Sequence, residues 1–185
     1  MNSYDLPSSL TIGGRDYAIR SGWRAIMDIF AALNDPELDA DGKEIALLTI
    51  FYPEHDSIPP KDIPAAIASA CEFIDCGHRP DSERRPRLID WEQDAPLIVP
   101  AVNAVAGKDI RCDPNLHWWT FWGAFMNTEG GLLGSVLRVR RKKAKGKKLD
   151  KAEEEFYREN RKLVDIRVRE SEEIRAEKDS ILKYL

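Results

Sequence analysis

The chain has 185 residues, 43% of them apolar and 32% charged, with a net charge of −4. That length can bury one ordinary hydrophobic core with an appendage, and the charge fraction marks a polar segment rather than a disordered chain. No run of 18 uncharged apolar residues occurs, the start MNSYDLPSSL lacks a secretory pattern, and three cysteines make no disulfide framework, so a cytosolic protein with free thiols is expected.

Leu10-Thr11-Ile12, Gly13-Gly14 and Tyr17-Ala18-Ile19 spell a short β-hairpin whose glycines tolerate positive φ in the turn. Ser21 then stands as an N-cap ahead of Trp23, Ile26, Met27, Phe30 and Leu33, whose spacing predicts a helix ended by Asn34-Asp35-Pro36. The run EIALLTIFY, Glu44 to Tyr52, is stopped by Pro53 and reads as a second helix with Ile45, Leu48, Phe51 and Tyr52 on one face. Pro59-Pro60 opens a third helix carrying Ala65, Ile67, Ala68, Cys71, Phe73 and Ile74, with Gly77 as its C-cap. The stretch HRPDSERRPR, His78 to Arg87, has the composition of an exposed connection.

Asp90 to Gln93, DWEQ, has the form of a capping box. It predicts a fourth helix that carries Leu97, Ile98, Val102 and Val105 inward as far as Gly107, with a kink or break at Pro96 and Pro100. Asp113-Pro114 supplies an N-cap and a first-turn proline for a fifth helix, which contains LHWWTFWGAFM, Leu116 to Met126. Beyond Gly130-Gly131 the composition changes. Arg138 to Lys148, RVRRKKAKGKK, holds eight basic residues and no acid, whereas residues 1–137 hold 11 basic and 21 acidic residues, a net of −10. From Asp150 onward the chain reads as one charged helical segment, opened by a second capping box of Asp150 and Glu153. Its apolar residues, among them Phe156, Leu163, Val164, Val168, Ile174, Ile181 and Leu182, are too sparse for a continuous core face. The expected architecture is mainly α: a compact helical domain with an N-terminal hairpin over 1–137, a basic linker over 138–149, and a charged C-terminal helix over 150–185.

Catalytic chemistry has no support here: there is no Gly-x-Ser-x-Gly elbow, no phosphate-cradling loop and no His-Glu-x-x-His, so neither an enzyme nor a cofactor is expected. One metal arrangement can be weighed, Cys71 and Cys76 with His78 against Cys112 and His117. Its four-residue gaps are looser than structural zinc spacing and Cys71 falls on an apolar face, so thiols serving as small hydrophobes are preferred. The basic tract led by Arg138, Arg140, Arg141, Lys142 and Lys143 suits a nucleic-acid or protein partner. With a negative overall charge and the aromatics elsewhere, a solvated linker or pairing within the chain, to Glu153, Glu154, Glu155 and Glu159 or to the acidic body, is the preferred reading. In the aromatic helix Trp118, Phe121, Trp122 and Phe125 form an i, i+3, i+4, i+7 stripe that fills a core. Trp119 lies about 100° away from Trp118 and, with Leu116 and Met126, widens the apolar sector toward a second protein. On that reading Trp119→Ala spares folding and weakens partner binding, while Trp122→Ala costs about 3 to 5 kcal/mol.

Taken in order, Leu10-Thr11-Ile12-Gly13-Gly14, Ser21-Gly22-Trp23, Phe51-Tyr52-Pro53, Asp90-Trp91-Glu92-Gln93-Asp94 and Leu116-His117-Trp118-Trp119-Thr120-Phe121 resemble the bacteriophage gene product fifteen family of tailed-phage and prophage proteins. The resemblance covers nearly the whole chain. It implies a long-tailed phage morphogenesis protein, encoded near the tape-measure gene in the position of tail assembly chaperones and acting in the bacterial host cytoplasm. The implied partner is the tape-measure protein, with the tail-tube protein as a second; a homo-oligomer is compatible, and no catalytic residue is carried over. Two other functions stay open: a structural tail or connector component, and a nucleic-acid-binding protein acting through residues 138–148.

Overall fold

The computed structural model describes residues 4–77, 86–128, 130–167 and 171. Strands β1 (Ser9–Ile12) and β2 (Arg15–Ala18) pair antiparallel, from Ser9 opposite Ala18 to Ile12 opposite Arg15. Gly13 and Gly14, at φ 57° and 82°, make the two-residue turn, whose twist requires positive φ at both positions. Leu10, Ile12 and Tyr17 are buried, so one face of the hairpin closes the core. The helices are α1 (Trp23–Leu33), α2 (Ala40–Phe51), α3 (Ile63–Ile74), α4 (Ala95–Ala106), α5 (Trp118–Met126), α6 (Gly131–Ala144), α7 (Lys151–Glu159) and the single turn α8 (Arg161–Val164). α2 packs on α1 and α3, while α5 packs on both α1 and α4. The main core therefore runs from the hairpin through Phe51, Phe73, Ile98 and Phe121 to Leu133 at the start of α6.

The N-termini of α1 and α5 differ from expectation in the same way. Ser21 is not the cap of α1; Gly22 is, without a side-chain bond. The carbonyl of Ser21 instead accepts from the Trp118 amide at 2.7 Å, and the carbonyl of Leu116 accepts from the Trp23 amide at 3.0 Å. The first residue of each helix thus donates to the chain just ahead of the other, through a bridge between Gly22 and His117. Two amides that a helix cannot satisfy internally are paired across the fold. Asp113 ends a 3₁₀ turn (Ile110–Cys112), and α5 starts a turn later behind His117.

Three helical faces also need correction. On α2 the buried residues are Leu47 and Phe51, while Ile45 is 64% exposed. Tyr52 just beyond α2 is buried, donating its hydroxyl to the Ala66 carbonyl at 2.8 Å, and burial pushes its phenol above the usual range. On α3 it is Ala66, Ala70 and Phe73 that face inward, with Ala65, Ala68 and Cys71 exposed. Asp90 caps one turn only, its carboxylate accepting from the amides of Glu92 and Gln93, and α4 starts at Ala95 with Val105 exposed at its far end. Pro96 then falls in the first turn, where no intrahelical donor is needed, and α4 continues through Pro100 to Ala106 without a break.

The tract 138–149 is not a linker in the structure, because its first half is helical. α6 runs to Ala144 and buries Val136 and Val139 against Val164, with Leu97, Leu149, Phe156 and Leu163 around them. The capping box of Asp150 and Glu153 forms, each side chain accepting the other's amide at 2.9 and 3.0 Å. The charged segment behind it divides at Asn160 into α7 and α8, and Val168, Ile174, Ile181 and Leu182 lie outside the described residues. His78 and most of the connection that follows it do so too.

Arg140 fastens this C-terminal layer to the body. Its side chain is 4% exposed, and all five guanidinium N–H groups are spent. Nη1 and Nη2 donate to the two carboxylate oxygens of Asp94 at 2.5 and 2.8 Å. The remaining three donate to the carbonyls of Leu88, Leu163 and Val164 at 2.7 to 2.8 Å. Asp94 also accepts from the amide of Asp90, whose carboxylate is paired with Arg87. Beside this knot the Gln93 side-chain amide donates through Nε2 to the Asp165 carbonyl at 3.0 Å and accepts through Oε1 from the Arg167 amide at 2.9 Å, as a strand's backbone would. Lys143, Tyr157 and Arg161 converge on the Asp165 carboxylate.

Arg140→Ala leaves the Asp94 carboxylate buried without its cation and should cost about 3 to 5 kcal/mol in urea unfolding; a loss under about 1 kcal/mol would show the knot to be incidental. The pH response has a definite sign. Burial opposes ionisation of Asp165, but the hydrogen bonds from Lys143, Tyr157 and Arg161 win and hold its carboxyl below the usual range. The hydrogen bond from Glu153's amide does the same for Asp150, and the one that Lys142 donates to Glu153's carboxylate raises the lysine. Groups with depressed carboxyl pKa values contribute stability above about pH 4 and lose it as pH falls further, whereas the raised lysine contributes until pH passes its own high range. Amide hydrogen exchange in α7 and α8 should therefore accelerate below about pH 4 before that of α5 does.

Candidate functional site

The adjacent tryptophans that open α5 have a common task. Trp118 donates its indole N–H to the Ile74 carbonyl at 2.8 Å, and Trp119 donates to the Phe73 carbonyl at 2.9 Å. Phe73 and Ile74 are the last two residues of α3, whose terminal carbonyls have no intrahelical donor. Trp119 also stacks on the Phe73 ring at 5.6 Å between centroids. Trp119 is therefore half-buried and engaged within its own chain, which removes the surplus that marked it for a partner. Leu116 is 8% exposed and closes the core beside it, and of the three only Met126, 61% exposed, stands open. Trp122, expected in the stripe's core, is half-buried at its edge against Trp91 and Phe125.

The basic residues separate into two sets. Arg140 is the buried knot, Lys142 pairs with Glu153 and Asp150, and Lys143 pairs with Asp165 while lying 3.8 Å over the Tyr157 ring. Arg138 and Arg141 are exposed and, with Lys145, Lys147 and Lys148, make no ion pair among the described residues.

The cysteines and His117 do not converge: among the described residues no three His, Cys, Asp or Glu side chains are grouped to hold a metal. Both ring nitrogens of His117 are engaged, Nδ1 accepting from the Trp119 amide at 3.1 Å and Nε2 facing the Pro7 carbonyl at 3.1 Å, which selects the tautomer with its proton on Nε2. Burial, with the charge of Asp75 adding to it, pushes the Cys76 thiol up to about 12, away from the thiolate that a metal would need.

An open feature lies elsewhere, between α1 and α4 and above α5. A pocket of about 320 Å³ is walled by Trp23, Met27, Phe30 and Ala31 of α1, by Ala95, Ile98 and Val99 of α4, and by Trp91 ahead of α4, with Phe121 of α5 also lining it. Trp91 lies flat against Phe30, at 5.3 Å between centroids and 4° between planes. Among the described residues its indole N–H meets no protein acceptor, unlike those of Trp23, Trp118 and Trp119. Asp28 and Glu92 place acidic residues in the lining, where Asp90 is buried and held by Arg87, and no Lys or Arg lines it. Sequence reasoning missed this groove because it placed Trp91 inside a helix; the signal available was a tryptophan flanked by three acids within five residues, Asp90 to Asp94.

A family model described as Bacteriophage Gp15 protein matches residues 3–166. No curated protein and no solved structure matches the chain. Among the described residues no helix is long and apolar enough to cross a membrane.

The tryptophan geometry gives Trp119 a structural role of its own, beside that of Trp122. Trp119→Ala removes a stacked indole and the donor that caps α3, and should cost about 2 to 4 kcal/mol in urea unfolding. Trp119→Phe keeps the ring and loses the donor, for about 1 kcal/mol. Full stability in Trp119→Ala would return that side chain to the surface role.

Proposed function

Because the chain belongs to the bacteriophage Gp15 protein family, which points to a structural or morphogenetic role in a phage, we propose that it is a tail assembly chaperone. In this reading it binds the tape-measure protein in the host cytoplasm and keeps it soluble until tail-tube subunits polymerise. A tape measure is a very long, apolar, helix-rich chain, so its chaperone must offer apolar surface without itself aggregating. The observation that carries the reading is the aromatic-lined groove between α1 and α4, open on a body rich in acidic residues. The role is binding rather than catalysis.

A second reading is favoured by one observation, the five exposed cations Arg138, Arg141, Lys145, Lys147 and Lys148 that lack ion-pair partners among the described residues. They would hold phosphates by charge alone, in a salt-sensitive and sequence-independent way.

Coexpression with the tape-measure protein of the same tail gene cluster should yield a co-purifying complex and raise the soluble fraction of the tape measure, and neither gain would be seen if the chaperone reading is wrong. Mass spectrometry of purified virions should find this chain absent or far below stoichiometry; a stoichiometric amount would make it a structural tail or connector component. The cation reading predicts duplex DNA binding that weakens steeply with salt and disappears when Arg138, Arg141 and Lys145 are changed to Glu.

A further inference from the structure

We propose that the groove between α1 and α4 receives a helix that is both apolar and basic: bulky apolar side chains enter the pocket, and a lysine or arginine on the same helix pairs with Asp28 at the rim. The proposal rests on the chaperone reading for the identity of the partner, but the chemistry of the groove stands on its own geometry.

Two helices flanking a gap above a third make a seat for another helix, because ridges of side chains pack into the grooves between neighbouring turns. Here α5 packs under both walls. Ala31 and Ala95 keep those walls low, so an incoming ridge meets small residues at both sides. Met27, Phe30, Trp91 and Val99 are each only half-buried, leaving apolar surface to cover. About 320 Å³ admits side chains rather than a folded partner, at the low end of the roughly 300 to 1,000 Å³ of ligand pockets.

Charge selects the occupant further. Asp28 is exposed on α1 with no ion pair among the described residues, Glu92 is exposed across the groove, and the lining holds no cation. A basic helix is thereby attracted, and an acidic one meets like charge. The indole N–H of Trp91 adds a donor awaiting an acceptor, such as a side-chain or terminal backbone oxygen of the occupant.

The test uses the full chain and two synthetic helices of about 18 residues, long enough to fold alone, one built from leucine and lysine and the other from leucine and glutamate. By calorimetry and tryptophan fluorescence the lysine helix should bind at least about tenfold more tightly than the glutamate helix. Ala31→Trp, which fills the groove from an exposed position, and Asp28→Lys, which reverses the rim charge, should each weaken that binding about tenfold or more with unchanged melting. Equal binding of the two helices, or indifference to both variants, overturns the proposal. Self-association of the chain that Ala31→Trp abolishes also overturns it, assigning the groove to a second copy. In tape-measure coexpression the two readings separate. If the wild-type chain and Ala31→Trp retain the tape measure equally, the groove proposal falls and the chaperone reading stands. If the wild-type chain retains none while the lysine helix still binds through the groove, the chaperone reading falls alone.

Discussion

One guanidinium decides how the C-terminal layer meets the body of the protein. A buried cation is tolerated only when its charge is paired and every N–H has an acceptor, and Arg140 meets both conditions through Asp94 and three carbonyls. Those acceptors come from the segment ahead of α4, from the first turn leading into α4 and from α8, so satisfying one side chain fixes three backbone segments at once. Asp94 in turn holds the amide of Asp90, and Asp90 holds the turn that carries Trp91. The wall of the groove is thus set by a residue in the basic tract. A hydrophobic contact of similar size would hold the layers together with less demand on direction.

The aromatic richness of the chain has mostly an architectural explanation. Three of the five indoles spend their N–H groups on backbone carbonyls, two at the end of α3 and one at Asp113. A tryptophan does what a C-capping residue does from a distance, and adds packing area that glycine or asparagine cannot. Trp118 and Trp119 reach two successive carbonyls, those of Ile74 and Phe73, the second of which also accepts from the Cys76 amide. Trp91 differs: it is held by stacking on Phe30, retains its donor, and faces an opening.

What was legible in the sequence was what neighbours in the chain determine. The Gly13-Gly14 hairpin, the Asp150 capping box and the helical character of α1 to α5 and α7 follow from local periodicity and local acceptors, whereas α6, read as a linker, does not. The misplacements share a cause in distant partners. Ser21 and Asp113 have the chemistry of caps, but backbone carbonyls from the other end of the core satisfied the amides first. Arg140 is indistinguishable by composition from the seven cations around it, and only the position of Asp94, 46 residues earlier, separates it from them. The groove was hidden for a similar reason, since Asp90 caps a turn that ends before the helix begins, leaving Trp91 outside α4.

The reciprocal pairing of α1 and α5 also bears on how the chain folds. The Trp23 indole reaches a carbonyl 90 residues later, and the two helix N-termini close on each other over a comparable separation. A helical protein built from local hairpins can assemble each pair of helices as it emerges, but here α1 lacks the partner of its first amide until α5 has been synthesised. During synthesis the floor and one wall of the groove come together only after most of the chain exists, and the opposite wall is fastened later still, when Arg140 and α8 arrive. The apolar lining of the groove is therefore assembled last, after most of the chain has been made, which shortens the time in which it could capture the wrong segment of the nascent polypeptide.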